Sequence, residues 1–126
     1  MSTNQLSPQL QDQINRLQQL RTQVQMISQQ RQQVEIKLHE IEEALSELEK
    51  IDTSTPVYKS VGAILIKSKW KSSVQKELKQ EKETLDVRKA TLEKQESRSR
   101  EKLSELQSKV QNALSLGSDQ EESSDE

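Results

Sequence analysis

Cysteine and phenylalanine are absent from this 126-residue chain, and it holds one Trp, one Tyr, one His, two Gly and two Pro. Without Cys there is no disulfide framework, no thiolate nucleophile and no Cys-based metal site, a composition that fits a reducing cytosol. Hydrophobic residues make up only 29%, too few to fill a spherical core that offsets the entropy of the unfolded chain. No apolar run approaches the roughly 20 residues of a membrane-spanning helix. The opening MSTNQLSPQL lacks the basic-then-apolar order of a signal peptide. A net charge of −2 supplies no global field toward nucleic acid or an anionic membrane.

What is abundant is charge, at 32%, and glutamine in the first third. Such a composition suits either a disordered chain or a coiled coil, and periodicity decides between them. Over residues 6–48, Leu6, Leu10, Leu17, Leu20, Val24, Ile27, Val34, Leu38, Ile41, Leu45 and Leu48 keep a 4-3 spacing, broken only by Gln13 and Arg31. A seam sustained this long is a strong coiled-coil signal. Ser7 before Pro8 reads as an N-cap with Pro in the first helical position.

Residues 73–116 repeat the pattern more weakly. Leu78, Leu85, Leu92, Ser99, Leu106 and Ala113 recur every seventh residue, with Leu103 and Val110 as distal partners and Gln75, Lys82, Lys89 and Glu96 as proximal ones. Ser72 with Gln75 spells a capping box, and Gly117 a helix stop. The two helical spans, 8–51 and 73–116, each hold about 44 residues, or roughly 66 Å of helix. Folding one onto the other pairs residues whose numbers sum to 123, so that Leu38 faces Leu85, Leu17 faces Leu106 and Leu10 faces Ala113. The acidic end of the first helix (Glu40, Glu42, Glu43, Glu47, Glu49) then lies beside the basic start of the second (Lys71, Lys76, Lys79). Length, register and charge agree on an antiparallel hairpin of helices.

Between the helices, over residues 56–68, Val57, Tyr58, Val61, Ile64, Leu65 and Ile66 are β-formers around Gly62, which suits the first central position of a II′ turn. A lone two-stranded hairpin is marginal in water, with unpaired backbone on both edges. These six residues are therefore expected to pair with strands of other subunits. The fold class expected is mostly α, a long antiparallel coiled-coil hairpin with a short β-hairpin at its bend. Residues 118–126, rich in Asp and Glu without a basic or apolar residue, read as an acidic disordered tail.

The candidates for chemistry are few. His39 has Glu35, Glu42 and Glu43 one turn away, but one His on a solvent-facing helix position needs convergent ligands from elsewhere to hold a metal. With no Gly-rich phosphate loop and no Ser/His/Asp set, no catalytic, metal or cofactor-binding residue is expected. Lys59, Lys67, Lys69, Lys71, Lys76 and Lys79 interleave with Tyr58 and Trp70, a pattern able to stack bases and hold phosphates. The acidic helix beside it offsets this charge, so a solvated rim is the better reading, with Trp70 packed where strand meets helix. Ile14, Leu114 and Leu116 lie off the strict seam near the open end. They fit ordinary exposed aliphatics and equally a sticky tip formed with Leu10, Leu17 and Val110.

The order helix, VYKSVGAILIKSKW, helix resembles the prefoldin beta subunit family over nearly the whole chain, most specifically at Tyr58 to Ile66. The Gln-rich opening and the single β-hairpin favour the beta over the alpha type. The resemblance implies one prefoldin-like domain over residues 1–117, in which the hairpins join into oligomeric β-barrels. It implies a cytoplasmic heterohexamer of two alpha and four beta subunits. Such proteins are ATP-independent holdases that clasp unfolded client proteins at coiled-coil tips and pass them to a group II chaperonin. The tip residues here would be Leu10, Ile14, Leu17, Val110, Leu114 and Leu116. The rival readings are a structural coiled-coil spacer and a nucleic-acid-binding module; neither nucleic acid nor membrane is expected as a partner.

Overall fold

Ser7 opens the first helix as its sequence predicts. Its Oγ accepts the Leu10 N–H at 3.1 Å and its carbonyl accepts the Gln11 N–H at 2.9 Å. Pro8 takes the first helical position, where its missing N–H costs nothing. A computed structural model describes residues 7–68 and 70–124, apart from the side chains of residues 68 and 117–124. Leu6 of the expected seam, Lys69 of the basic cluster and residues 125–126 of the tail lie outside the described residues. The elements run α1 (Pro8–Lys50), β1 (Val57–Val61), β2 (Ile64–Ser68) and α2 (Lys71–Ser124), the mostly helical class expected.

The ends of α2 differ from expectation. It begins two residues early because the Trp70 carbonyl accepts the Val74 N–H at 3.3 Å. The first turn closes there, and Ser72 lies inside the helix instead of capping it. At the other end α2 runs through Gly117 to Ser124, so the stretch expected as a disordered tail continues the helix to that point. One Gly inside a helix costs about 1 kcal/mol relative to Ala, which weakens a helix without stopping it.

The chain packs as two units. In the unit Gln30–Leu92, α1 buries Leu38, Ile41 and Leu48 and half-buries Val34 and Leu45, while α2 half-buries Leu78 and Leu85. Leu92 is wholly buried, at 0% exposure; such a side chain is stabilised by on the order of 1.5–3 kcal/mol. The antiparallel sense shows in the ion pairs Lys37–Glu81 at 3.3 Å and Glu42–Lys82 at 3.8 Å. It also shows where Lys71 Nζ donates to the Ile51 carbonyl at 2.8 Å, satisfying backbone just past the end of α1. Arg31, the charged break in the seam, is half-buried with Nη1 at 3.0 and 3.1 Å from the two Glu35 carboxylate oxygens.

In the other unit, Met1–Gln29 with Glu93–Glu126, α1 buries Leu17, Val24 and Ile27 and half-buries Leu10, Gln13 and Leu20. Facing them, α2 buries Val110 and half-buries Leu103, Leu106 and Ala113. Two polar residues of the α2 seam, Glu96 and Ser99, are also buried. The Glu96 carboxylate is compensated by Arg100 one turn on, whose Nε donates to Oε1 at 3.2 Å, as a buried charge requires.

Candidate functional site

Two residues, Gly62 and Ala63, join β1 to β2, with Val61 paired to Ile64 and Val57 to Ser68. Gly62 has φ +61°, and among the described residues no non-Gly residue has positive φ. A positive φ at the first central position alone is the II′ pattern, whose twist suits a tight hairpin. This register places Val57, Val61, Ile64 and Ile66 on one face and Tyr58 and Leu65 on the other.

Tyr58, Val61, Ile64, Leu65 and Ile66 are all between 50% and 69% exposed; only Val57 is half-buried. The sheet has two strands in the order β1-β2, so each strand has an outer edge. A short sheet with apolar side chains on both faces and open backbone on both edges is a surface that other strands can extend and cover. Burying each of these side chains is worth on the order of 1.5–3 kcal/mol. The hairpin is tied to α2 by Lys59 Nζ, 3.5 Å from Glu77 Oε2.

A groove of about 550 Å³ opens where the end of α1, β1 and the start of α2 converge. Its apolar wall comes from Ala44, Leu48 and Ile51, then Pro56, Val57 and Tyr58, then Val74 and Leu78, with Glu47, Glu77, Glu81 and Lys59 around it. Sequence reasoning did not find this groove, since three elements contribute to it. The available signal was Ala44, Ile51 and Val74, apolar residues off the strict seam close to the bend. Trp70 also departs from expectation. It is 66% exposed, not packed at the junction, because α2 turns Val74 toward the groove and leaves the indole outside.

The six expected tip residues divide. Leu17 and Val110 are buried in the seam, Leu10 and Ile14 are half-buried, and Leu114 and Leu116 are exposed at 44% and 62%. Of the lysine cluster, Lys59, Lys67, Lys76 and Lys79 are exposed and Lys71 is half-buried on the Ile51 carbonyl. His39 Nε2 lies 3.0 Å from Glu43 Oε1 on an exposed helix face. Among the described residues no group of three or more His, Cys, Asp or Glu is placed to hold a metal ion. No helix there is long and apolar enough to cross a membrane.

Against known proteins, the family model "Prefoldin subunit" matches residues 11–115. The prefoldin subunit beta of Archaeoglobus fulgidus is 50% identical over 111 residues, covering 88% of this chain and 95% of that one. The prefoldin subunit beta of Sulfurisphaera tokodaii is 39% identical over 112 residues, 89% of each chain. The crystal structure of the prefoldin beta subunit from Thermococcus strain KS-1 superimposes with a TM-score of 0.76 at 39% identity. It covers 87% of this chain and 96% of that one.

Proposed function

We propose, from the premise that this chain belongs to the prefoldin family of chaperone subunits, that it serves as a beta subunit of an ATP-independent holdase. In this reading the chain assembles with two alpha and three further beta subunits in the cytosol. The assembly captures unfolded client proteins at its coiled-coil tips and delivers them to a group II chaperonin. The observation that carries the assembly step is the exposed apolar hairpin, Tyr58, Val61, Ile64, Leu65 and Ile66, whose edges suit a barrel shared between subunits. For capture, Leu114 and Leu116 are exposed already, and Leu10 and Ile14 are half-buried beside solvent. Leu17 and Val110 join them only when the end of the seam frays, which helix termini do at small cost. Each such side chain contributes on the order of 1 kcal/mol when partly buried. Capture at one arm is then weak, and several arms acting together supply the grip.

Light scattering from a denatured client, with this chain mixed with an alpha-type prefoldin subunit, tests the reading. The mixture is expected to suppress aggregation at stoichiometric amounts without ATP. Removing residues 1–17 and 106–126 from the chain is expected to abolish suppression while sedimentation still shows the mixed assembly. Normal suppression by that truncated assembly would place client binding somewhere other than the tips.

A further inference from the structure

The exposed Trp70 and the groove belong to the same unit, one helical turn apart. The Trp70 carbonyl accepts the Val74 N–H at 3.3 Å, and Val74 lines the groove. Tryptophan is the residue that most needs cover, since its side chain buries roughly 150–250 Å² when packed; here it is 66% exposed. The groove volume of about 550 Å³ falls within the roughly 300–1,000 Å³ typical of sites that enclose a bulky group. An exposed knob within one helical turn of a hole can be matched by a second copy, since a two-fold axis satisfies both at once.

Charge points the same way. Glu47, Glu77 and Glu81 border the groove against one lysine of its lining, Lys59. Each carboxylate holds a lysine through one oxygen: Glu47 Oε1 to Lys50 at 3.3 Å, Glu77 Oε2 to Lys59 at 3.5 Å and Glu81 Oε1 to Lys37 at 3.3 Å. A carboxylate accepts at both oxygens, so a second cation can join each. Lys67, exposed in β2, lies three residues before Trp70, so an indole entering the groove can bring that cation toward these carboxylates.

The geometry points to a two-fold contact between two copies of this chain, in which Trp70 of each copy fills the groove of the other and Lys67 meets its acidic border. The contact does not use the strand edges, although Val57, Tyr58 and Lys59 of β1 help to line the groove, and it does not rest on the holdase reading.

The test uses the full chain carrying Ile64→Asp, a substitution aimed at strand-mediated assembly at the turn end of the hairpin, away from Val57 and Lys59 of the groove, with helix content checked by circular dichroism. Sedimentation and emission of the single tryptophan are followed over a concentration series. A monomer–dimer equilibrium whose dimer shifts the emission to the blue is expected. Trp70→Ala should weaken dimerisation at least tenfold and Trp70→Phe less. Glu47→Lys with Glu81→Lys should weaken it, and Lys67→Glu should partly restore it. A dimer with unshifted emission, a Trp70→Ala chain that dimerises as tightly, or no dimer at all overturns the contact. So does a blue shift already complete in the monomer, which places the indole in its own groove. A shift seen only when denatured client is added to the monomer assigns the groove to clients and overturns it too. The light-scattering assay with the alpha subunit is read separately, so either idea can fail alone.

Discussion

Leu92 and Leu65 are the same residue type in the same unit, yet Leu92 is wholly buried and Leu65 is 69% exposed. The difference lies in how each element finds a partner. A 4-3 seam is covered by one other helix, and the chain supplies that helix in a matching antiparallel register. A hairpin has two faces and two edges, and two helices at its base cover little more than Val57. The seam is covered within one chain, whereas the hairpin keeps both edges and most of its apolar side chains open; in the proposed assembly other chains finish the sheet. On the proposed assembly, stability of the chain and its capacity to assemble rest on different leucines.

Ile64→Asp with Ile66→Asp presses hardest on this contrast. Placing two carboxylates on the face proposed to enter a barrel is expected to remove the mixed assembly with the alpha subunit altogether, because burying unpaired charge costs far more than the lost apolar contact returns. Far-ultraviolet circular dichroism should show the helices unchanged. An intact assembly by sedimentation would mean that the hairpin is not the joint.

Leu92→Ala against Leu65→Ala sharpens it next. In the isolated chain, urea unfolding should show a loss of about 2–5 kcal/mol for Leu92→Ala, from lost burial plus a cavity. For Leu65→Ala the change should stay within about 0.5 kcal/mol, as for other exposed positions. Equal losses would show that the hairpin is already covered in the single chain. The smallest effect belongs to Ser7→Ala, which removes the acceptor of the Leu10 N–H and should cost about 1 kcal/mol. Assembly, if it runs through the hairpin as proposed, should not respond to it.

Much of this was legible in the sequence because periodicity reports directly on burial. Every seam position from Leu10 to Leu48 is buried or half-buried, including the polar breaks Gln13 and Arg31. So are the seam positions of the second helix, down to Glu96 and Ser99. The II′ turn was legible for a similar reason, since Gly62 is the residue that accepts a positive φ without strain. What could not be read depends on where side chains point at the junctions. An aromatic between a strand and a helix suggests packing, but only the backbone path decides that Val74 faces inward while Trp70 does not. The end of α2 was misjudged because Gly permits a stop without enforcing one. The groove has no linear pattern, since its wall comes from stretches on either side of the bend.

The turn at Gly62 has a consequence for the energetics of joining chains. Side chains alternate across a strand, so slipping the pairing by one residue would exchange Tyr58 and Leu65 with the larger aliphatic set on the opposite face. A two-residue turn with its first φ at +61° sets the pairing locally, before any second chain arrives. Ordering a residue's backbone costs about 1–2 kcal/mol, and a turn that favours one register lowers that cost for the ten residues of β1 and β2. If other strands add to these edges, they meet a hairpin whose inside and outside the turn has already chosen.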